Sequence, residues 1–276
     1  MDYKEFCTKF TYCSEAPVAR GGQKIVWRAS HADYGEVVVK LVDSGDARTR
    51  REIEIIQGNH FDAVPRIYET VDVVYQGQDK LAIVEEFIAG VNLRDFIKGG
   101  GRYDLSQAVD FLDKGLEFLK QISAKKIVHR DIKPENIVMR GDKPVFLDFG
   151  IARVLDADSI TETGNLGPNT PGYAAPEQFL GIKTRIDVRA DMFSLGVVTY
   201  ELLTGRNPFR QGASTPFEIQ FNTVTITPAD YEIPGDSEHQ FMGLISSMMN
   251  KTVWSRPRDA QHALSLLRSV RKTFKG

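Results

Sequence analysis

Hydrophobic and polar positions give the two parts of the chain different periods. Over the first ninety residues the apolar runs are short, β-branched and bounded by polar turns, which predicts strands. YGEVVVKLV (Tyr34 to Val42) and KLAIVEEF (Lys80 to Phe87) are two such runs, and Arg28 to Gly35 reads as a polar turn between neighbouring strands. One stretch in this part, Ala47 to Gln57, reads as a helix. Beyond Gly90 helical spacing takes over. Leu105, Ala108, Val109, Leu112, Leu116, Leu119 and Ile122 recur at three and four, one face of an amphipathic helix with Asp104 or Ser106 as its cap. From 191 to 203 the apolar residues cover the whole circumference, so that helix should be buried on every side. The pattern predicts an α+β chain in two lobes joined near residues 86 to 90, with a ligand cleft where they meet.

Composition narrows the partners. The 276 residues carry 35 Lys plus Arg against 37 Asp plus Glu, a net charge of −2, so no bulk field attracts nucleic acid or an anionic membrane. The two cysteines, Cys7 and Cys13, form neither a disulfide framework nor a zinc pattern, and read as small apolar residues in a reducing compartment. No apolar stretch is long enough to span a bilayer and the N-terminus lacks a signal-peptide core. The expectation is a cytoplasmic chain with no membrane and no nucleic-acid partner; oligomeric state is left open.

The densest polar cluster is IVHRDIKPENIVM (Ile127 to Met139), followed by PVFLDFGIAR (Pro144 to Arg153). Apolar residues flank both, so each polar group is offered from a rigid edge. Asp131, Lys133, Asn136 and Asp148 could together hold a divalent cation, neutralise phosphate oxygens and orient a hydroxyl, the tasks of phosphoryl transfer. The triplet HRD alone is common. HRDxKxxN with DFG beginning twelve residues after Asn136 is specific.

On these motifs the chain resembles the protein kinase family, over roughly Phe10 to Arg271, as a serine/threonine-specific and compact bacterial-type domain. The resemblance implies the two-lobe kinase fold, a small mainly antiparallel β N-lobe with one helix and a larger helical C-lobe. Residues 1–9 would be an N-terminal extension, 10–88 the N-lobe and 89–276 the C-lobe of one kinase domain. It makes Asp131 the group that orients and deprotonates the acceptor hydroxyl, Lys133 the contact to the transferred phosphoryl, and Asn136 and Asp148 the metal ligands. Lys40 of VVVK would grip the α- and β-phosphates, with Glu52 as its partner. Thr170 would bond Asp131 and Lys133. Val26, Val38 and Val138 would line the adenine pocket, and Glu86 to Ile88 would form a hinge whose backbone bonds the adenine edge. Asp191 would hold the HRD backbone, Arg256 would pair with Glu177 of APE, and His129 would sit in the core. Arg130 would receive a phosphate carried on Ser159, Thr161 or Thr163.

Two features depart from the family pattern. In ARGGQKIV, Ala19 and Lys24 stand where the phosphate-covering loop has its first and third glycines; Gly21 is matched. Glu85, just before the hinge, puts a carboxylate where the family is uncharged, and a carboxylate there needs a partner. Lys40 to Glu52 spans only twelve residues, which suggests a trimmed connection and a short helix. Several residues also have a plain reading: Arg48, Arg50 and Arg51 as a solvated helix face, Glu135 as a loop glutamate facing either substrate or solvent. The leading expectation is an ATP-dependent phosphotransferase using Mg2+, or Mn2+ in its place, on protein Ser/Thr hydroxyls. A pseudokinase or nucleotide-binding scaffold, and a small-molecule kinase, are the alternatives. Retention of Lys40, Asp131, Asn136 and Asp148 opposes the first, and the HRDxK and APE segments oppose the second.

Overall fold

The structure, a computed structural model, describes residues 1–20, 24–43, 47–59, 61–148, 170–180 and 186–274, with the backbone alone at 47–49, 51 and 52. The described residues fall into two compact units, one up to Ala89 and the other from Gly90 onward.

The first unit is built on an antiparallel sheet. Its elements are α1 (Tyr3–Cys7), β1 (Phe10–Cys13), β2 (Ala19–Arg20), β3 (Lys24–His31), β4 (Gly35–Asp43), α2 (Ala47–Gly58), β5 (Ile67–Tyr75) and β6 (Gln78–Glu86). The strand order is β1-β3-β4-β6-β5, with β2 also on β3. Alternation along the strands separates two faces. Trp27, Ala29, Val37, Val39, Leu41, Ala82 and Val84 pack with Phe6 of α1 and Phe10 into one core. Val26 pairs across with Lys40, and Val38 with Glu85, so these lie on the other face. β5 turns into β6 through Gln76 and Gly77, both at positive φ (51° and 78°), the backbone of a tight two-residue hairpin.

The polar turn expected from Arg28 to Gly35 is shorter than that. β3 continues to His31, and only Ala32 to Tyr34 form the turn. Arg28 and Ser30 are polar because they lie on a solvated stretch of the strand, where both bond Glu36 across the ladder at 2.9 and 2.5 Å, while Ala29 between them is buried. The connection ahead of α2 is trimmed as expected, with three residues between Asp43 and Ala47, but α2 itself has twelve residues and is not short.

The second unit is helical, with one small hairpin. It holds α3 (Leu93–Lys98), α4 (Leu105–Ala124), β7 (Ile137–Arg140), β8 (Lys143–Phe146), α5 (Pro176–Phe179), α6 (Val188–Thr204), α7 (Pro216–Thr225), α8 (Gln240–Met248) and α9 (Ala260–Val270). Asp104 is the cap of α4. Its carboxylate accepts the Gln107 N–H at 2.8 Å, and the Gln107 side chain accepts the Asp104 N–H at 3.1 Å. α6 is buried from Ala190 to Leu203, with α4, α8 and α9 packed on it, as its all-round apolar pattern requires. It stops at Gly205, whose φ of 74° and close approach to the Arg102 guanidinium leave no room for a Cβ.

Candidate active site

The polar cluster sits on the loop between α4 and β7. Buried Ile127 and Ile137 anchor it at either end, and buried Ile132 in its middle. Asp191, near the start of α6, accepts the backbone N–H groups of His129 and Arg130, each at 2.7 Å. Arg130 holds a left-handed backbone, φ 66°, a conformation that is unfavourable by roughly 1–2 kcal/mol for a residue with a Cβ. The Asp191 bonds and the Gln178 amide, which donates to the Arg130 carbonyl at 3.0 Å, keep it there. Burial pushes the Asp191 carboxyl up to about 7, and the two N–H donors and the Arg130 charge work against that by favouring its anion. His129 is fully buried, as expected of a core residue.

Held in this way, the loop presents Asp131 as a hub. Lys133 Nζ donates to Asp131 Oδ2 at 3.0 Å and to Thr170 Oγ1 at 3.1 Å, and the Thr170 hydroxyl donates to Asp131 Oδ1 at 3.1 Å. Asn136 Nδ2 donates to the carbonyl and to Oδ2 of Asp131, both at 3.0 Å. Each Asp131 oxygen is thereby oriented, and the amide of Asn136 is fixed with Oδ1 as its remaining polar atom. The Leu147 N–H donates to the Asn136 carbonyl at 2.7 Å, so the segment carrying Asp148, itself at φ 55°, is tied to the segment carrying Asn136. An amide oxygen and a carboxylate on tied segments are hard oxygen donors of the kind Mg2+ takes, completed by phosphate and water rather than by a protein cage. Among the described residues there is no group of three or more His, Cys, Asp or Glu able to hold a metal ion.

The segment after Thr170 is pinned from beneath. Arg256 forms a two-pronged pair with Glu177, at 2.7 and 2.9 Å, and both side chains are buried. Two further N–H groups donate to the carbonyls of Asn250 and Arg189, at 2.7 and 3.0 Å.

In the first unit, Lys40 lies buried on β4, with Val26 opposite it on β3 and Val38 two residues earlier. Its ammonium is 2.5 Å from Glu85 Oε2, which supplies the partner that a buried carboxylate requires. Ala19 is exposed on β2, Lys24 is half-buried at the start of β3, and Val138 is buried on β7 of the second unit. At the end of β6 the Glu86 N–H donates to the Arg66 carbonyl at 2.8 Å, and Ile88 is buried. Arg50 makes an exposed pair with Asp72 at 2.6 Å, which suits a solvated helix face. Gly21, Ser159, Thr161, Thr163 and the side chains of Arg48, Arg51 and Glu52 lie outside the described residues.

One cluster escaped the sequence reading. Arg94 on α3 donates to Glu135 at 2.9 Å, to buried Glu201 of α6 at 2.8 Å and to the Tyr173 hydroxyl, which in turn donates to Glu201. Burial disfavours the Arg94 charge, but the hydrogen bonds to Glu201 and Glu135 and the Glu201 charge outweigh it and hold the guanidinium above its ordinary value. Glu135, read as facing substrate or solvent, is therefore an ion-pair partner. Nothing near Arg94 in the chain signals this, since Glu201 is 107 residues away.

Residues 14–266 match the family model for the protein kinase domain. Over 266 residues the chain is 32% identical to the serine/threonine-protein kinase pkn2 of Myxococcus xanthus, covering 91% of this chain and 31% of that protein. It is 32% identical over 233 residues to a probable serine/threonine-protein kinase PknB of Bifidobacterium longum, covering 79% of this chain and 34% of that one. The chain thus spans about a third of the length of these relatives. A crystal structure of Rad53 1-466 in complex with AMP-PNP superposes with a TM-score of 0.73 at 22% identity, over 94% of this chain and 65% of that one, a likeness of fold.

Proposed function

The chain belongs to the protein kinase family, and from that premise we propose that it is an active serine/threonine protein kinase, transferring the γ-phosphate of ATP to protein hydroxyls. The observation that carries this reading is the Asp131 hub, in which one carboxylate is fixed by Lys133, Thr170 and Asn136 at 3.0–3.1 Å. Asp131 orients the acceptor hydroxyl and takes its proton as the oxygen attacks. Lys133, whose ammonium already bridges Asp131 and Thr170, stabilises the charge on the phosphoryl in flight. Thr170 keeps Asp131 and Lys133 in register.

Lys40 grips the α- and β-phosphates, Val26, Val38 and Val138 sandwich the adenine, and the backbone from Glu86 to Ile88 bonds its edge. Ala19, Gly21 and Lys24 form the loop over the phosphates, where Lys24, standing at a glycine position, adds a point charge. Asn136 and Asp148 would hold Mg2+, or Mn2+, which supplies charge neutralisation for the phosphate oxygens. Ser159, Thr161 and Thr163 are the autophosphorylation positions and Arg130 is their receiver. Among the described residues no helix is long and apolar enough to cross a membrane. A cytoplasmic setting with protein substrates fits this reading.

The test is transfer of labelled phosphate from Mg-ATP to a protein mixture, followed by identification of the modified residues. Asp131→Asn should lower kcat by about a hundredfold or more with the fold intact, the scale of losing an acid–base contributor. Label on phosphotyrosine only, or equal turnover by Asp131→Asn, would overturn the assignment.

A further inference from the structure

Lys40 and Glu85 stand on interior strands, β4 between β3 and β6, and β6 between β4 and β5. The register sets Val38 opposite Glu85 and Lys40 opposite Ile83, so the two charged residues are diagonal neighbours on one face, two positions apart along the ladder. Long side chains reach across such a diagonal. Here they meet at 2.5 Å with only 11% and 7% of the side chains exposed. Backbone hydrogen bonds on both edges of β4 and β6 fix the base of each side chain, so the pair does not depend on where any helix sits.

We infer that Glu85 is a positioning residue for Lys40: the sheet itself, through this carboxylate, holds the ammonium where the nucleotide phosphates need it. The inference rests on reading Lys40 as the phosphate-gripping lysine. It gives Glu85 the larger share of the task that the family resemblance gives to Glu52 of α2. A helix can shift as a body against a sheet, whereas neighbouring strands cannot slip without breaking their ladder.

The electrostatics give this role a recognisable signature. Glu85 offsets much of the Lys40 charge, so bound phosphates feel a directed donor more than a bare cation. Replacing Glu85 by Gln strengthens the attraction while loosening the direction. ATP should then bind as well or better, and the loss should fall on turnover, since orientation matters most in the transition state. A residue that only packed the sheet would give no such split.

The experiment compares the wild type with Glu85→Gln, Glu52→Gln, Lys40→Met and the Glu85→Gln/Lys40→Met double variant. It measures kcat on a protein acceptor and the Kd of Mg-ATP by calorimetry. Glu85→Gln should lower kcat by about tenfold or more while Kd weakens by no more than about twofold. Glu52→Gln should lower kcat by less. Within the Lys40→Met background, adding Glu85→Gln should change kcat and Kd by no more than about twofold, because its effect runs through the missing lysine. Lys40→Met alone should melt lower, with the second substitution recovering part of the loss as the stranded carboxylate is removed.

An equal fall of kcat with and without Lys40 would make Glu85 a packing residue and overturn the inference, as would a larger loss from Glu52→Gln. Kd and kcat at wild-type values in Lys40→Met would overturn the reading of Lys40 and this inference together.

Discussion

Lys251 carries its ammonium to a place where Nζ is buried and has no hydrogen-bond partner among the described residues. The Phe209 ring lies 3.9 Å from it and that of Phe193 5.7 Å, so aromatic faces stand in for water. Burial, and then the repulsion of Arg256, push this ammonium down to about 7 from an ordinary 10.5. The linkage follows from that direction: between about pH 7 and 10.5 the unfolded chain binds a proton that the folded chain does not, so folding stability rises with pH across this window and the full penalty applies below it. The wild type should therefore gain in Tm from pH 7 to 9 relative to Lys251→Met, and the variant should be the more stable of the two at pH 6. Parallel Tm–pH curves would show that Lys251 is solvated. At the same scale, the candidate catalytic residues were legible because HRDIKPEN and DFG are contiguous and each proposed role is tied to a residue type. The partner of Glu85 was half legible: a carboxylate in an apolar strand announces a need, but only the β4–β6 register shows that Lys40 meets it.

Among the elements, the long periodic ones were readable and the short ones were not. α4 and α6 declare themselves over 20 and 17 residues, one by a single apolar face and the other by an unbroken circumference. α1 has five residues, too few for any period, yet its Phe6 is fully buried in the sheet core. β3 reads short in the sequence because Arg28 and Ser30 look like turn residues until the register brings Glu36 within reach of both. The Glu177–Arg256 pair shows how a four-residue helix is stabilised from outside itself. α5 makes too few internal hydrogen bonds to persist alone, and the buried guanidinium joins it to the carbonyls of Asn250 and Arg189. Arg256→Ala strands the Glu177 carboxylate in the interior, a loss of ~3–5 kcal/mol when one member of a buried pair is removed. A clearly lower Tm is expected, together with faster amide exchange from Thr170 to Phe179. A Tm within error of wild type would show that the pair is not coupled to folding.

For the whole molecule, the near balance of 35 basic and 37 acidic side chains means that any strong field must be local and that a phosphate can change it. Each phosphate adds ≈ −1.5 to −2 charges and acceptor oxygens suited to a guanidinium. Arg130 is the receiver in the proposed reading, and Asp191 and Gln178 fix its backbone next to Asp131. A phosphate drawn to Arg130 would therefore act on the segment between Asp148 and Thr170 without moving the catalytic loop. The sequence there offers Ser159, Thr161 and Thr163, and also Asp156, Asp158 and Glu162, which could supply a constitutive negative charge. The two cases predict different behaviour. Autophosphorylation on Thr161 or Thr163 should raise activity as it accumulates, phosphatase treatment should lower it, and joint replacement of Ser159, Thr161 and Thr163 by alanine should hold it low. Arg130→Ala should then abolish the difference between phosphorylated and dephosphorylated enzyme. Full activity after both phosphatase treatment and the triple replacement would mean that a carboxylate serves Arg130, and in that case replacing Asp156, Asp158 and Glu162 by their amides should lower activity where the phosphatase did not.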